Sequence, residues 1–303
     1  MLIGLHDAEK DYLLSKSFPN LALMKLSSYH KQQGDSVLWW NPLLSNECDI
    51  IYSSKVFDFS PDNSYLPSET IRGGTGYEEF SNELSEVIED QFPDYTIYPK
   101  VDYALGYITR GCPNHCEWCI VPFKEGNIKP AKTFDKLVRK DTNKLVLLDN
   151  NILASDFGIA QLEALTKTDY KIDLTQGMDA RLVDDKIAEI LSKIKWIKYI
   201  RFSCDQVSQI KHIQRAAELL NQNGVKHNRL MVYLLIRHDL EDAEYRIHEL
   251  KKLQGISLYA QAELNPRIGI HPTREQKEFC RYVYSGVYKK SPFTQWMGNQ
   301  HIS

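Results

Sequence analysis

The sequence predicts an α/β protein in which a small Rossmann-like α/β unit precedes a partial (β/α)6 barrel of the TIM type. Three observations carry this. Between residues 104 and 263, six short apolar runs alternate with segments of helical period, the pattern of strands laid parallel and joined by helices. A closed eightfold barrel takes roughly 250 residues, so this shorter stretch fits an open one. The charge also changes near residue 100: residues 1–100 carry 7 Lys/Arg against 16 Asp/Glu, the remainder 30 against 24. The chain is expected to divide into residues 1–100, 101–266 and a C-terminal extension, 267–303, that covers the barrel.

In the first segment, residues 1–5 read as a strand. Residues 20–33 space Leu21, Met24, Leu26 and Tyr29 near helical period, and Gly34 stops the helix. Strands follow at 36–40 and 48–53. Residues 58–76, rich in Pro, Ser, Asp and Gly, read as loop, with a flexible turn at 72–76 (RGGTG). Residues 78–90 are acidic and read as a surface helix. Beyond them, strands are expected at 104–108, 144–148, 171–174, 197–202, 230–236 and 257–263. Helices are expected at 157–165, 184–194, 207–221 and 240–253. In parallel sheets of this kind the chemistry collects at the carboxyl ends of the strands. The polar groups that follow the strands here are Asp149, Asn150 and Asn151, then Gln176, then Ser203 and Asp205, then Glu263 and Asn265.

Hydrophobic residues make up 43% of the 303, enough for a substantial core. The longest wholly apolar run, 230–236, is too short to cross a bilayer. The start of the chain has no basic region followed by a long apolar stretch, so no secretory signal is read there. A soluble, cytoplasmic protein without a membrane partner is the expectation. In that compartment clustered cysteines hold metal more often than they form disulfides.

Three of the six cysteines, Cys112, Cys116 and Cys119, fall within the stretch RGCPNHCEWCIVPFKEG at residues 110–126. A structural zinc site takes four ligands. The nearest other cysteine on the C-terminal side is Cys204, and His115 lies between two of the three, where a tetrahedral arrangement would be strained. A [4Fe–4S] cluster is usually held by four thiolates, so three leave one iron open to a ligand from outside.

The spacing Cys112-x-x-x-Cys116-x-x-Cys119, with Trp118 before the last cysteine, resembles the signature of the radical S-adenosylmethionine (radical SAM) superfamily. The wider GYITRGCPNHCEWC is similar to members that carry an N-terminal cobalamin-binding-type domain and to methylthiotransferases. The resemblance implies a [4Fe–4S] cluster on Cys112, Cys116 and Cys119, with S-adenosyl-L-methionine chelated to the open iron. One electron then cleaves its sulfonium, and the 5′-deoxyadenosyl radical takes a hydrogen atom from a substrate. The cofactors supply that chemistry and the protein supplies position.

Further positions follow from the resemblance. Asp149-Asn150-Asn151 stands where the family often has a Gly-Gly-Glu-type motif that receives the cofactor's amino group, and its oxygens suit that role. QGMDARL, residues 176–182, resembles a segment bordering the cofactor. There Arg181 could pair with the cofactor carboxylate, or Asp179 and Arg181 could cap the next helix. Asp205 stands near the ribose contacts, or caps the helix after it. Glu263 and Asn265 stand near the adenine edge. Lys124 either offsets the negative charge of the cluster or, with Glu125, is solvent-facing. No catalytic residue is assigned.

The first segment resembles a shortened cobalamin-binding domain but lacks Asp-x-His-x-x-Gly, and it is expected not to hold cobalamin. His30 reads as a surface helix residue. Cys48, Cys204 and Cys280 are scattered and read as structural. In the tail, Arg274, Lys277, Arg281, Lys289 and Lys290 interleave with Tyr282, Tyr284, Tyr288, Phe293 and Trp296. That composition fits a helix packed on the barrel or a grip on single-stranded nucleic acid. The resulting expectation is a radical SAM enzyme acting on an anionic, nucleotide or RNA substrate and served by a low-potential donor such as flavodoxin or ferredoxin. A non-catalytic iron–sulfur binding or sensing protein is the alternative.

Overall fold

The computed structural model describes residues 1–13, 18–44, 47–77, 83–265 and 268–300. The fold is mixed α/β with parallel sheets, and the chain divides into two compact units, Met1–Leu105 and Gly106–Ser303.

In the first unit β1 (Leu2–Asp7) leads into α1 (Ala8–Leu13), and α2 (Leu21–Gln32) precedes β2 (Ser36–Trp39). Next come β3 (Ile50–Ser54), β4 (Ile71–Gly73) and the one-turn α3 (Glu86–Glu89). The sheet order is β2-β1-β3-β4, with every pairing parallel. The Asn20 side chain accepts from the Leu23 amide at 3.2 Å and so starts α2. Leu23 and Leu26 on that helix close over Ile3 and Leu5 of β1. Each such buried aliphatic contributes about 1.5–3 kcal/mol.

Three expectations are corrected in this unit. His30 is buried, not a surface residue: its ring nitrogens meet Asp35 at 2.8 Å and the Tyr52 hydroxyl at 3.1 Å. The stretch 58–76 is not all loop, since Ile71–Gly73 pairs with β3. Two of the glycines at 72–76 pack tightly: a Cβ on Gly74, whose φ is +103°, would lie 2.3 Å from the Lys55 carbonyl oxygen, and one on Gly76 2.5 Å from that of Phe57. Side-chain spacing reports none of these, because a three-residue strand shows no periodicity. Of the acidic helix expected at 78–90, only Glu86–Glu89 is helical, and residues 78–82 lie outside the described residues.

The second sheet system begins with β5 (Ala104–Gly106), then the short hairpin of β6 (Thr109–Arg110) and β7 (Lys129–Pro130), with α4 (Val121–Lys124) inside its loop. It continues through β8 (Lys144–Leu147), α5 (Asp156–Leu165), β9 (Lys171–Leu174), α6 (Asp185–Lys193) and β10 (Lys195–Trp196). Next are β11 (Ile200–Ser203), α7 (Ile210–Gln222), β12 (Leu230–Ile236), α8 (Leu240–Leu250) and β13 (Ser257–Ala262). The tail holds α9 (Arg274–Tyr284) and α10 (Phe293–Gln300).

The strands form two sheets, β10-β9-β8-β5 and β11-β12-β13, linked by a parallel bridge between Met178 and Phe202. The pairs β8–β9, β9–β10, β11–β12 and β12–β13 are parallel. The helices between them are amphipathic. Ile187, Ile190 and Leu191 of α6, and Ile213, Ala217 and Leu220 of α7, face inward. Asp184 and Asp239 cap α6 and α8 by accepting amide hydrogens at 2.8 and 2.9 Å. The β10 strand and the β6–β7 hairpin were not anticipated, because two-residue pairings carry no periodic signal. In the tail, Phe279, Tyr282 and Phe293 pack ring on ring, and α9 lies against β13. Among the described residues no helix is long and apolar enough to cross a membrane.

Candidate functional site

The cysteine loop runs from β6 to β7 and is closed by its own backbone. Gly111 has a φ of +82°, and a Cβ there would lie 2.4 Å from the Asn127 carbonyl oxygen. Only glycine fits that close approach. Cys112 N–H then donates to the Gly126 carbonyl at 3.1 Å, and Cys119 N–H to that of Cys116 at 3.0 Å.

One side chain ties this loop to the sheet. Glu125 accepts from the Gly111 amide and from Asn150 Nδ2, each at 2.9 Å, and pairs with Arg110 at 3.2 Å. Glu125 is therefore a buried structural acceptor, which corrects its reading as a solvent residue. Burial pulls the neighbouring Lys124 ammonium below its ordinary pKa.

The ends of successive strands reach the same loop. After β8, Asp149 is buried and accepts from the Ile108 amide at 3.0 Å and from the Thr109 amide and hydroxyl at 2.5 and 2.7 Å. Burial pushes its carboxyl up to about 6 against the pull of those hydrogen bonds. Its oxygens are thus spent holding the chain that enters the loop. Asn151 stands closer to the thiols: Nδ2 is 3.8 Å from Cys112 Sγ, while Oδ1 is buried with no hydrogen-bond partner. An orphaned buried acceptor costs about 1–3 kcal/mol, and such a group invites a donor.

After β9, Asp179 accepts from Asn114 of the loop at 3.1 Å. It also caps the turn at Arg181 N–H and takes the Arg181 guanidinium in a two-pronged pair at 2.6–2.8 Å. Asp179 thus caps the short turn at 180–182 and engages Arg181, while the helix that follows is capped by Asp184. Desolvation raises the Asp179 carboxyl, but its donors outweigh that and hold it below the ordinary range. Gln176 is exposed. Gly177 presses on Ser203, since a Cβ there would lie 2.1 Å from Ser203 Oγ.

After β11, Asp205 accepts from the Leu235 amide at 3.1 Å. Desolvation pushes its carboxyl up. It is not the helix cap, because Gln206 occupies that position. After β12, the Arg237 guanidinium lies 4.9 Å over the Trp118 ring. After β13, Glu263 is buried and sits 3.5 Å from Arg237 Nε. Asn265 is buried and turns back through its backbone onto Ile270; Pro266 lies outside the described residues. Sequence reading missed Glu125 and Arg237. One lies near the end of the cysteine loop and one directly after a strand, but charge alone does not tell a strut from a solvated side chain.

The three loop thiols are half-buried and reduced. Burial, then the neighbouring Cys119 and Cys112, raise Cys116; burial raises Cys119, with Cys112 adding to it. The three are thus within electrostatic reach of one another. Among the described residues, no three His, Cys, Asp or Glu side chains are grouped so as to hold a metal ion. Cys204 and Cys280 are buried, with thiols pushed up by desolvation to about 12 and about 11, as inert core cysteines should be.

No family model matches the chain. Two curated proteins are similar to it. The ribosomal protein uS12 methylthiotransferase RimO of Dictyoglomus thermophilum is 23% identical over 216 residues, covering 66% of this chain and 46% of the relative. The tRNA-2-methylthio-N(6)-dimethylallyladenosine synthase of a Hydrogenobaculum species is 28% identical over 131 residues, covering 40% and 26%. The chain therefore spans less than half the length of these relatives. Among solved structures, the cobalamin-dependent S-adenosylmethionine radical enzyme OxsB, with aqua-cobalamin and S-adenosylmethionine bound, aligns over 96% of this chain and 56% of its own. Its TM-score is 0.57 at 13% identity, a likeness of fold.

Proposed function

Taking the chain as a member of the radical SAM superfamily, we propose that it is an enzyme that cleaves S-adenosylmethionine reductively at a [4Fe–4S] cluster held by Cys112, Cys116 and Cys119. When bound, that pair of cofactors supplies a carbon radical that takes hydrogen from a substrate. The observation that carries the reading is the buried, unpartnered Asn151 Oδ1 beside Cys112. An acceptor left empty next to a three-thiol corner suits an N–H of the amino group of an amino-acid ligand that would be chelated there. Asp205, Glu263 and Asn265 at the strand ends would take the nucleoside part, and Arg181 the carboxylate once Asp179 yields it. The strands in this reading are an open (β/α)6 barrel, and the chain before them a Rossmann-like unit. The excess of Lys and Arg after residue 100 favours an anionic substrate, nucleotide or RNA, and a flavodoxin or ferredoxin would deliver the electron.

The test is anaerobic reconstitution with iron and sulfide, reduction by dithionite and chromatography for 5′-deoxyadenosine and methionine. The wild-type protein is expected to bind close to four irons per chain and to release both products. A protein that holds the cluster and releases neither would be the sensing protein instead.

We further propose that the first unit holds no cobalamin. Ligands of parallel sheets enter where the strand order reverses, here between β1 and β3. The polar side chains at that edge already bond one another. His6 meets Ser53 at 2.7 Å, Ser53 meets the Tyr77 hydroxyl at 2.7 Å, and Asn20 donates to Ser54 at 2.7 Å. The Tyr98 hydroxyl donates to Asp7 at 2.5 Å. Protein incubated with aquacobalamin and desalted is expected to carry no corrinoid absorbance; stoichiometric retention would refute this.

A further inference from the structure

We propose that Arg237 is a positioning residue for the cluster loop: its guanidinium pins Trp118 and sets a positive charge against the residue that precedes Cys119. This rests on the cluster reading above. Two side chains that follow adjacent parallel strands stand in line on one ring of the loop. Arg237, after β12, covers the Trp118 ring face at 4.9 Å, and Glu263, after β13, faces Arg237 at 3.5 Å. Trp118 immediately precedes Cys119. A ring held on its face fixes the backbone that presents the last thiolate.

The geometry is specific to arginine. A planar guanidinium stacks on an indole and faces a carboxylate at the same time, whereas a lysine ammonium is a point charge. The contact with Glu263 is an ion pair that leaves Nε buried without a hydrogen-bond acceptor. Polar satisfaction alone therefore does not account for the placement; the ring beneath it does. The charges add a second role. Arg237 faces the residue that immediately precedes Cys119. Reduction of a cluster held by that thiolate would add one negative charge to it. A cation in a partly desolvated site favours that reduced state, so Arg237 raises the cluster's potential and Glu263 moderates it.

Two readouts test this on the full chain. In protein labelled with 5-fluorotryptophan and free of iron, Trp118 gives one of five fluorine resonances, assigned by W118F. R237Q and R237K are both expected to move that resonance and to leave those of Trp39, Trp40, Trp196 and Trp296 in place. In reconstituted protein, R237Q is expected to lower the midpoint potential, R237K to stay nearer the wild type, and E263Q to raise it. An unmoved Trp118 resonance in both Arg237 variants overturns the positioning role. A potential unchanged in R237Q overturns the electrostatic one. If the wild-type protein takes up no iron, the cluster reading fails, while the fluorine spectra still decide whether Arg237 positions the ring.

Discussion

Cys116→Ala is expected to strip the protein of its iron, and Cys280→Ala to leave it. The two substitutions remove the same atom from opposite environments. Cys116 is half-buried in a loop with two other thiols, beside the Arg181 cation. Cys280 is buried on the inner face of α9, its thiol raised to about 11 by desolvation. A cluster already short of a fourth thiolate has no spare ligand, so two thiolates should fail to retain it. Iron per chain should fall by at least about tenfold in C116A, the brown absorbance should vanish, and 5′-deoxyadenosine should fall with it, as expected for loss of a first ligand. C280A loses only one small buried group, about 1 kcal/mol, and should keep full iron. Equal iron loss in both variants would mean that the metal is held elsewhere, and equal retention that the loop does not hold it.

That contrast shows what the sequence made legible. The cysteine loop was readable because three thiols at fixed intervals, with an aromatic before the last, constitute a local signal. The strands at 144–147 and 230–236 were readable because their side chains are nearly all apolar, and that at 171–174 because Ile172 and Leu174 alternate with Lys171 and Asp173. The supporting shell was not. Glu125 reads as an ordinary surface acid in KEG, and only the fold shows it reaching Gly111, Arg110 and Asn150 at once. Arg237 reads as a charge after a strand, and its stacking on Trp118 joins residues more than a hundred positions apart. His30 looked exposed from helical spacing, yet Asp35 and Tyr52 enclose it. Local periodicity reports which face of an element is apolar. It does not report which polar side chains the tertiary structure has recruited as struts.

Glu125→Ala is therefore the second variant with a large expected effect, although it touches no thiol. Its carboxylate is nearly enclosed, with 7% of the side chain exposed, and it serves three donors from three places: the amide of the strained Gly111, the Arg110 guanidinium and the Asn150 amide. Deleting it orphans the Gly111 N–H and Asn150 Nδ2 and frees the hinge from which Cys112 begins. Each buried donor left unmade costs about 1–3 kcal/mol. A loss of that size lowers the melting temperature by about 2–4 °C per kcal/mol in a domain of 150–250 residues. The more telling loss is in metal retention. With all three cysteines present, iron per chain should still fall severalfold, because the loop no longer closes on itself at Cys112 and Gly126. Glu125→Gln separates shape from charge. Its single amide oxygen can keep the Gly111 bond but gives up the ion pair with Arg110, so its iron content should lie between that of E125A and the wild type. If E125A melts lower yet holds its full complement of iron, Glu125 supports the fold without shaping the cysteine loop. If it loses iron at an unchanged melting temperature, the carboxylate acts on the loop alone.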